Sequence, residues 1–186
     1  MREVILIVGP RASGKSSFCE KAIAVDSSIV LVSRDTILTE LFGKTSLDPY
    51  SGGHVHALER MWKAVEDQLK SLSSLRMILD TWNGSSGERR HIIAQLRRLG
   101  AERIIAWYFV TPVKYVEEWF WKKPGIARME EMATRQNQGL TFYSSDAPRR
   151  DYELFYQTAS EVASDGFDQI LRINPLTMGP EQVLIF

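Results

Sequence analysis

The sequence predicts one three-layer α/β domain, residues 1–186, built on a five-stranded parallel sheet. Three observations carry that expectation: five short unbroken apolar runs, amphipathic segments between them, and a glycine-rich stretch directly after the first run. The runs cover residues 4–8, 29–32, 77–79, 104–110 and 170–173. They are continuous rather than alternating, the pattern of strands buried on both faces. Strands that alternate with helices imply right-handed crossovers, with helices covering both faces of the sheet.

The elements follow in order. A helix is expected from Ser17 to Ile23, behind the glycine-rich stretch. Val55, Leu58, Met61, Val65 and Leu69 recur every three or four residues, one apolar stripe with charges opposite. Ile92, Ile93, Leu96 and Leu99 form a second stripe behind the polar start Ser85-Ser86-Gly87-Glu88. Tyr115, Trp119 and Phe120 follow Pro112 in a third helix, and Tyr152, Phe155, Tyr156 and Ala159 mark a last one. Two stretches interrupt the rhythm. Residues 43–53, with Asp48-Pro49 and Gly52-Gly53, read as a loop. Residues 122–148 read as a lid: one short helix over 126–138 between two loops, above the sheet edge.

Composition narrows the function. The chain has 186 residues, 44% hydrophobic and 25% charged, enough for a real core. Lys plus Arg and Asp plus Glu are 23 each, a balance that argues against a coating or packaging role on nucleic acid. Cys19 is the only cysteine, so no intrachain disulfide forms and a reducing, intracellular compartment fits best. The first apolar run is too short for a signal-peptide core or a membrane span, so no membrane partner is expected.

The chemistry starts at Gly9-Pro10-Arg11-Ala12-Ser13-Gly14-Lys15-Ser16, which fits the phosphate-loop pattern G-x-x-x-x-G-K-[ST] between a strand and a helix. Gly9 and Gly14 let the backbone bend until successive amides of Arg11, Ala12, Ser13 and the following turn, to Ser17, face one concavity. Such a nest at a helix N-terminus binds anions. Lys15 would neutralise the β- and γ-phosphates of ATP or another nucleoside triphosphate, and the Ser16 hydroxyl would ligate Mg²⁺. The third run ends in Asp80, an acid placed to hold the metal's water shell. Ser33-Arg34-Asp35-Thr36 follows the second strand, with Asp35 twenty positions after Lys15. Two roles fit Asp35: general base for an attacking hydroxyl, or N-cap of a helix starting at Thr36.

These residues resemble a known family. The strand, Gly-Pro-Arg-Ala-Ser-Gly-Lys-Ser-Ser, a second strand ending Ser-Arg-Asp and a third ending Leu-Asp-Thr-Trp-Asn look like the kinase domain of phage polynucleotide 5′-kinases and related small P-loop kinases. The resemblance covers the three N-terminal strands well and the C-terminal half by layout. It implies a P-loop kinase fold with a helical lid. It also implies Lys15 and Ser16 at phosphate and metal, Asp35 as the base, Asp80 as the third-strand acid and Arg34 near the acceptor. It departs at Leu38, where the family carries an arginine on the acceptor's phosphate, and at Thr36, where it carries a second acid. Compact kinases of phage DNA hypermodification, which act on 5-hydroxymethyluracil in DNA, are similar. The expected reaction is therefore transfer from ATP to a hydroxyl on nucleic acid, DNA above all, in a host cytoplasm if phage-encoded. A small-molecule or nucleoside kinase, and a nucleotide-binding regulatory module, are the alternatives. Nothing specifies an oligomeric state.

A lid arginine reaches the phosphates in that family, and the candidates are Arg128 and Arg135, seven apart on one face of the expected short helix. Both also fit a solvated helix face beside Glu130 and Glu131. Trp82 could stack on an acceptor base or belong to the core, and Asn83 follows it at the sheet edge. Arg89, Arg90, Arg97 and Arg98 could contact DNA phosphates or simply solvate a helix. His54 and His56 lack an evident third ligand for a metal. Asn174-Pro175 falls where related kinases hold adenine.

Overall fold

The computed structural model describes residues 1–45, 47, 50–135, 138–157 and 159–184, with residues 156, 157 and 159 described by backbone alone. Asp48-Pro49 of the expected loop lies outside the described residues.

The chain runs β1 (Arg2–Val8), α1 (Lys15–Val25), β2 (Val30–Ser33), α2 (Arg34–Phe42), α3 (Gly53–Ser71), β3 (Leu75–Asp80), α4 (Ser86–Arg98), β4 (Arg103–Phe109) and α5 (Val113–Trp121). It continues through β5 (Ile126–Arg128), a 3₁₀ turn (Met129–Glu131), α6 (Met132–Arg135), β6 (Thr141–Tyr143), α7 (Ala147–Gln157), α8 (Ala159–Val162) and β7 (Gln169–Ile173). All five apolar runs are strands of one parallel sheet, ordered β2-β3-β1-β4-β7.

Successive side chains of β1 enter opposite cores, as the two-residue period of a strand requires. Val4, Leu6 and Val8 pack with Leu38 of α2, Met61 of α3 and Leu96 of α4. Ile5 and Ile7 pack with Phe18 and Ala22 of α1 and with Trp107 and Phe109 of β4. At the N-terminal edge of the sheet the buried carboxylate of Glu3 accepts from Arg76 Nε at 2.8 Å and from Arg103 Nη1 at 3.0 Å. These arginines are its register partners on β3 and β4, so one acid ties three strands together.

Two expectations are corrected. The stripe of α3 is Gly53, Ala57, Met61, Val65 and Leu69, whereas Val55 and Leu58 are 58% and 42% exposed. The first turn of α3 lies so close to the end of α2 and the segment after it that a Cβ at Gly53 would stand 2.6 Å from Leu47 and 3.2 Å from Phe42. Small residues therefore take the inner row there, and the larger ones face out. The helix expected over 126–138 is instead β5, the 3₁₀ turn and four residues of α6; residues 136 and 137 lie outside the described ones. Pro124-Gly125, with Gly125 at φ 77°, starts an extended segment whose partner is β6: Ile126 pairs Thr141, and Arg128 pairs Tyr143. Among the described residues no helix is long and apolar enough to cross a membrane.

Candidate active site

The C-terminal ends of β1, β2 and β3 open into a cleft of about 1170 Å³, walled on the lid side by residues 123–126 and 139–141 and by Tyr143. Its floor is the loop after β1. Gly9 has φ 154°, and a Cβ there would meet Phe109 Cβ at 2.9 Å. Gly14 has φ 87° and lies against Pro175 and Trp119, a Cβ contact of 3.1 and 3.2 Å. Ala12, at φ 60°, is the one described non-glycine residue in the left-handed region. The loop is braced from below. Ser13 Oγ donates to the Pro10 carbonyl at 2.8 Å, and Thr111 Oγ1, two residues past β4, donates to the Ser13 carbonyl at 2.7 Å.

The loop fits a triphosphate on two grounds. Helix α1 begins at Lys15 with Gly14 as N-cap and no side-chain cap, so its first amides stay available to an anion. The Lys15 ammonium lies back on the carbonyls of Gly9 and Pro10, at 3.0 and 2.5 Å. Burial pushes its pKa down to about 8 against the opposing pull of Asp80. Such a cation gains most from a phosphate oxygen.

Ser33 pairs Asp80 in the β2–β3 register, which brings Asp35 and Asp80 to the same edge. Burial raises the Asp80 carboxyl above its ordinary value, opposed by Lys15. Ser16, Asp35 and Asp80 share a smaller recess of about 290 Å³. The Ser16 hydroxyl and the Asp80 carboxylate suit Mg²⁺, which keeps several waters and takes few protein ligands. Among the described residues no group of three or more His, Cys, Asp or Glu side chains is arranged for a tighter metal centre.

The cap of α2 belongs to Ser33, whose Oγ accepts from Thr36 N at 3.4 Å. Asp35 sits inside the first turn, exposed and facing the cleft. The capping role open to Asp35 is thereby taken by its neighbour. Leu38 is wholly in the core. Arg34 lines the cleft, its Nη2 2.8 Å from His54 Nδ1. Trp82 is 40% exposed, edge-on to Phe155 with centroids 5.5 Å apart, and also lines the cleft. Asn83 is buried, its Nδ2 donating to the carbonyls of Ile7 at 2.7 Å and Thr81 at 2.9 Å.

The other expected cations lie elsewhere. Arg128 stands over the Trp121 ring at 5.1 Å and Arg135 pairs Glu131 at 3.1 Å, neither in the cleft wall. With β5 in place of a helix, the face they were to share does not exist. Lys123 is instead the lid cation among the described residues that lines the cleft, and its charge acts on Lys15 and Asp80. Arg11 is ion-paired to Asp151, with its guanidinium over the rings of Phe120 and Tyr143 at 5.5 and 5.0 Å. The phosphate loop is thus joined to the lid strand β6 and to α7. Ser17 is exposed in the first turn of α1. Asn174 closes a turn after β7, its Oδ1 accepting from Leu176 N at 3.1 Å.

Arg89 is no surface cation. It is wholly buried, ion-paired to Asp165, and donates to the carbonyls of Asn83 at 3.1 Å and Gly84 at 3.3 Å. It holds the backbone that follows Asp80. Arg97 pairs Asp168, whereas Arg90 and Arg98 are exposed.

A family model described as AAA domain matches residues 4–136. No curated protein matches the chain. Among solved structures, a chain of the Pnkp1/Rnl/Hen1 RNA repair complex is 21% identical with a TM-score of 0.63, over 86% of this chain and 46% of that one. This chain therefore spans about half the length of that one. A putative kinase from Chloroflexus aurantiacus is 14% identical with a TM-score of 0.64, over 98% and 95% of the two chains. Shikimate kinase from Acinetobacter baumannii in complex with shikimate is 14% identical with a TM-score of 0.51, over 99% and 91%. At these identities the likeness is one of fold: an α/β P-loop kinase fold around a five-stranded parallel sheet.

Proposed function

The chain belongs to the AAA domain family matched over residues 4–136, and from that premise we propose that it transfers the γ-phosphate of ATP to a hydroxyl on nucleic acid. The acceptor is a 5′-hydroxyl end or the hydroxymethyl group of 5-hydroxymethyluracil in DNA. One observation carries the reading: Asp35, not consumed in capping α2, faces the same cleft as Lys15.

Each residue has a task. The amides from Arg11 to Ser17 and the Lys15 ammonium bind the triphosphate. Ser16 and Asp80 would hold Mg²⁺, which when bound neutralises charge on the phosphate oxygens. Asp35 accepts the proton from the acceptor hydroxyl as its oxygen bonds to the γ-phosphorus and the bond from that phosphorus to the bridging oxygen breaks, releasing ADP. Lys123 faces the transferring group from the lid and stabilises charge on its oxygens. Arg34 and Trp82 line the acceptor side of the cleft.

Incubation with γ-labelled ATP and three acceptors tests the proposal: DNA with free 5′-hydroxyls, end-blocked DNA with internal 5-hydroxymethyluracil, and free nucleosides. Label on either DNA supports it, and label on nucleosides alone sinks the nucleic-acid part. A small-molecule kinase is the second reading, favoured by the zero net charge of the chain.

A further inference from the structure

The phosphate loop carries a cation that the tasks above leave unused. Arg11 lines the cleft, yet its guanidinium is held by lid elements: Nε is ion-paired to Asp151 in the middle of α7, and the group stands over the rings of Phe120 and Tyr143. Asp151 is partly exposed and lines the same cleft, and among the described residues no other cation pairs with it. The Lys15 ammonium rests on the carbonyls of Gly9 and Pro10, so the distal phosphates it takes lie beside the start of the loop, next to Arg11. A γ-phosphate there crowds the Asp151 carboxylate with like charge and offers the Arg11 fork a bidentate partner. The ends of α7 are fixed independently of this pair. Ala147 packs with Ala12 and Phe120, while Phe155 lies in the main core and its carbonyl accepts from Tyr108 Oη at 3.2 Å.

We propose that Arg11 is a gated ligand of the γ-phosphate: Asp151 holds its guanidinium before a nucleotide binds and cedes it to a triphosphate. The proposal rests on the kinase reading above and adds a device that tells ATP from ADP. While the γ-phosphate is present, the Arg11 fork donates to its oxygens and stabilises their charge during transfer. Once transfer has removed that group, the guanidinium returns to Asp151. ADP is then left with the loop amides and Lys15, which favours its release. Exchange of the Arg11 partner also frees the middle of α7, so the lid side of the cleft registers which nucleotide is bound.

The test uses the full chain with Mg²⁺ and two ligands, ADP and the non-hydrolysable ATP analogue AMP-PNP, with no acceptor present. Affinity is read by isothermal titration, and α7 by amide hydrogen exchange. In the native chain AMP-PNP should speed exchange across residues 148–154, whereas ADP should not. Asp151→Asn removes the competing charge at nearly constant shape. It should tighten AMP-PNP more than ADP and exchange fast with or without nucleotide. In that background Arg11→Gln should cost AMP-PNP about tenfold or more, the scale of one hydrogen bond to a charged group, and ADP much less. In the native background the same change should cost AMP-PNP less, because no pair with Asp151 has to be broken, a coupling that the double-mutant cycle measures. Should Arg11→Gln misfold, the contrast between the two nucleotides in Asp151→Asn decides alone. Equal tightening of ADP and AMP-PNP by Asp151→Asn is plain charge removal and overturns the gate. So does an Arg11→Gln that leaves the AMP-PNP affinity of the Asp151→Asn chain unchanged. The expected pattern in a chain that labels no acceptor would instead sink the kinase reading and leave the gate standing.

Discussion

Asp165→Ala should be among the most damaging single substitutions in this protein, although Asp165 lies outside the cleft wall. Its carboxylate is buried, accepts from Ser86 Oγ and is ion-paired to Arg89 Nε, itself wholly buried. Removing the acid leaves Arg89 with two carbonyls, those of Asn83 and Gly84, and with Glu161 at 3.9 Å on an exposed side chain. Breaking a buried pair from one side costs about 3–5 kcal/mol. For a chain of this size each kcal/mol is worth about 2–4 °C in Tm, so a fall of about 6–20 °C is expected in differential scanning calorimetry. Arg89→Met combined with Asp165→Leu removes both charges at similar volume and should recover most of that loss. The double variant should still bind acceptor more weakly, because Arg89 also tethers the backbone that carries Trp82 and Asn83. A Tm change under about 2 °C for Asp165→Ala would refute the reasoning about the buried pair. A stable double variant with native acceptor KM would refute the tether.

Three further predictions follow from the cleft. Asp35→Ala should lower transfer by about 10²–10⁴-fold while ATP affinity holds, since a general base acts on the acceptor; isothermal titration alongside the label assay checks both. Lys123→Met should lower kcat by about 10²–10³-fold with a smaller change in KM for ATP, while Arg128→Ala and Arg135→Ala stay near native. Lys15 has a folded pKa of about 8 against an ordinary 10.5. Between those values the unfolded chain holds a proton that the folded chain has released, so nucleotide-free stability should rise with pH there and lie flat just below. Lys15→Met should flatten the rise in urea midpoint, and ATP affinity of the native chain should decline above about pH 8 because phosphate prefers the charged amine.

The strands and the phosphate loop were readable because their signals are local. An unbroken apolar run has few other homes, and a glycine pair at fixed spacing between strand and helix specifies a backbone shape. The lid was not readable for the opposite reason. Strands β5 and β6 have three residues each and exist through pairing with one another, which no periodicity within 126–138 announces. The arginines misled in two ways. Arg89 has the composition of a surface position, and its burial depends on an acid 76 residues away. Arg128 and Arg135 were placed by a helix that does not form. Lys123 lies before the expected helix with no motif to mark it, and its position in the cleft wall depends on where α5 ends. His54 carried no usable signal, since its contact with Arg34 depends on the packing of α3 against α2. The capping question at Asp35 turned on one hydroxyl, Ser33, which the sequence displays and the rule for caps permits.

The clasp of Glu3 by Arg76 and Arg103 has a further consequence. At that end of the sheet each buried charge has its opposite, while at the other end Lys15, Arg34 and Lys123 lack carboxylate partners among the described residues. The two ends of the sheet therefore hold their charge differently: clasped in direct ion pairs at one, and at the other divided between these cations and the carboxylates of Asp35 and Asp80, which act on Lys15 without a direct pair among the described residues. Added salt should accordingly screen the cleft and weaken ligand capture long before it loosens the sheet.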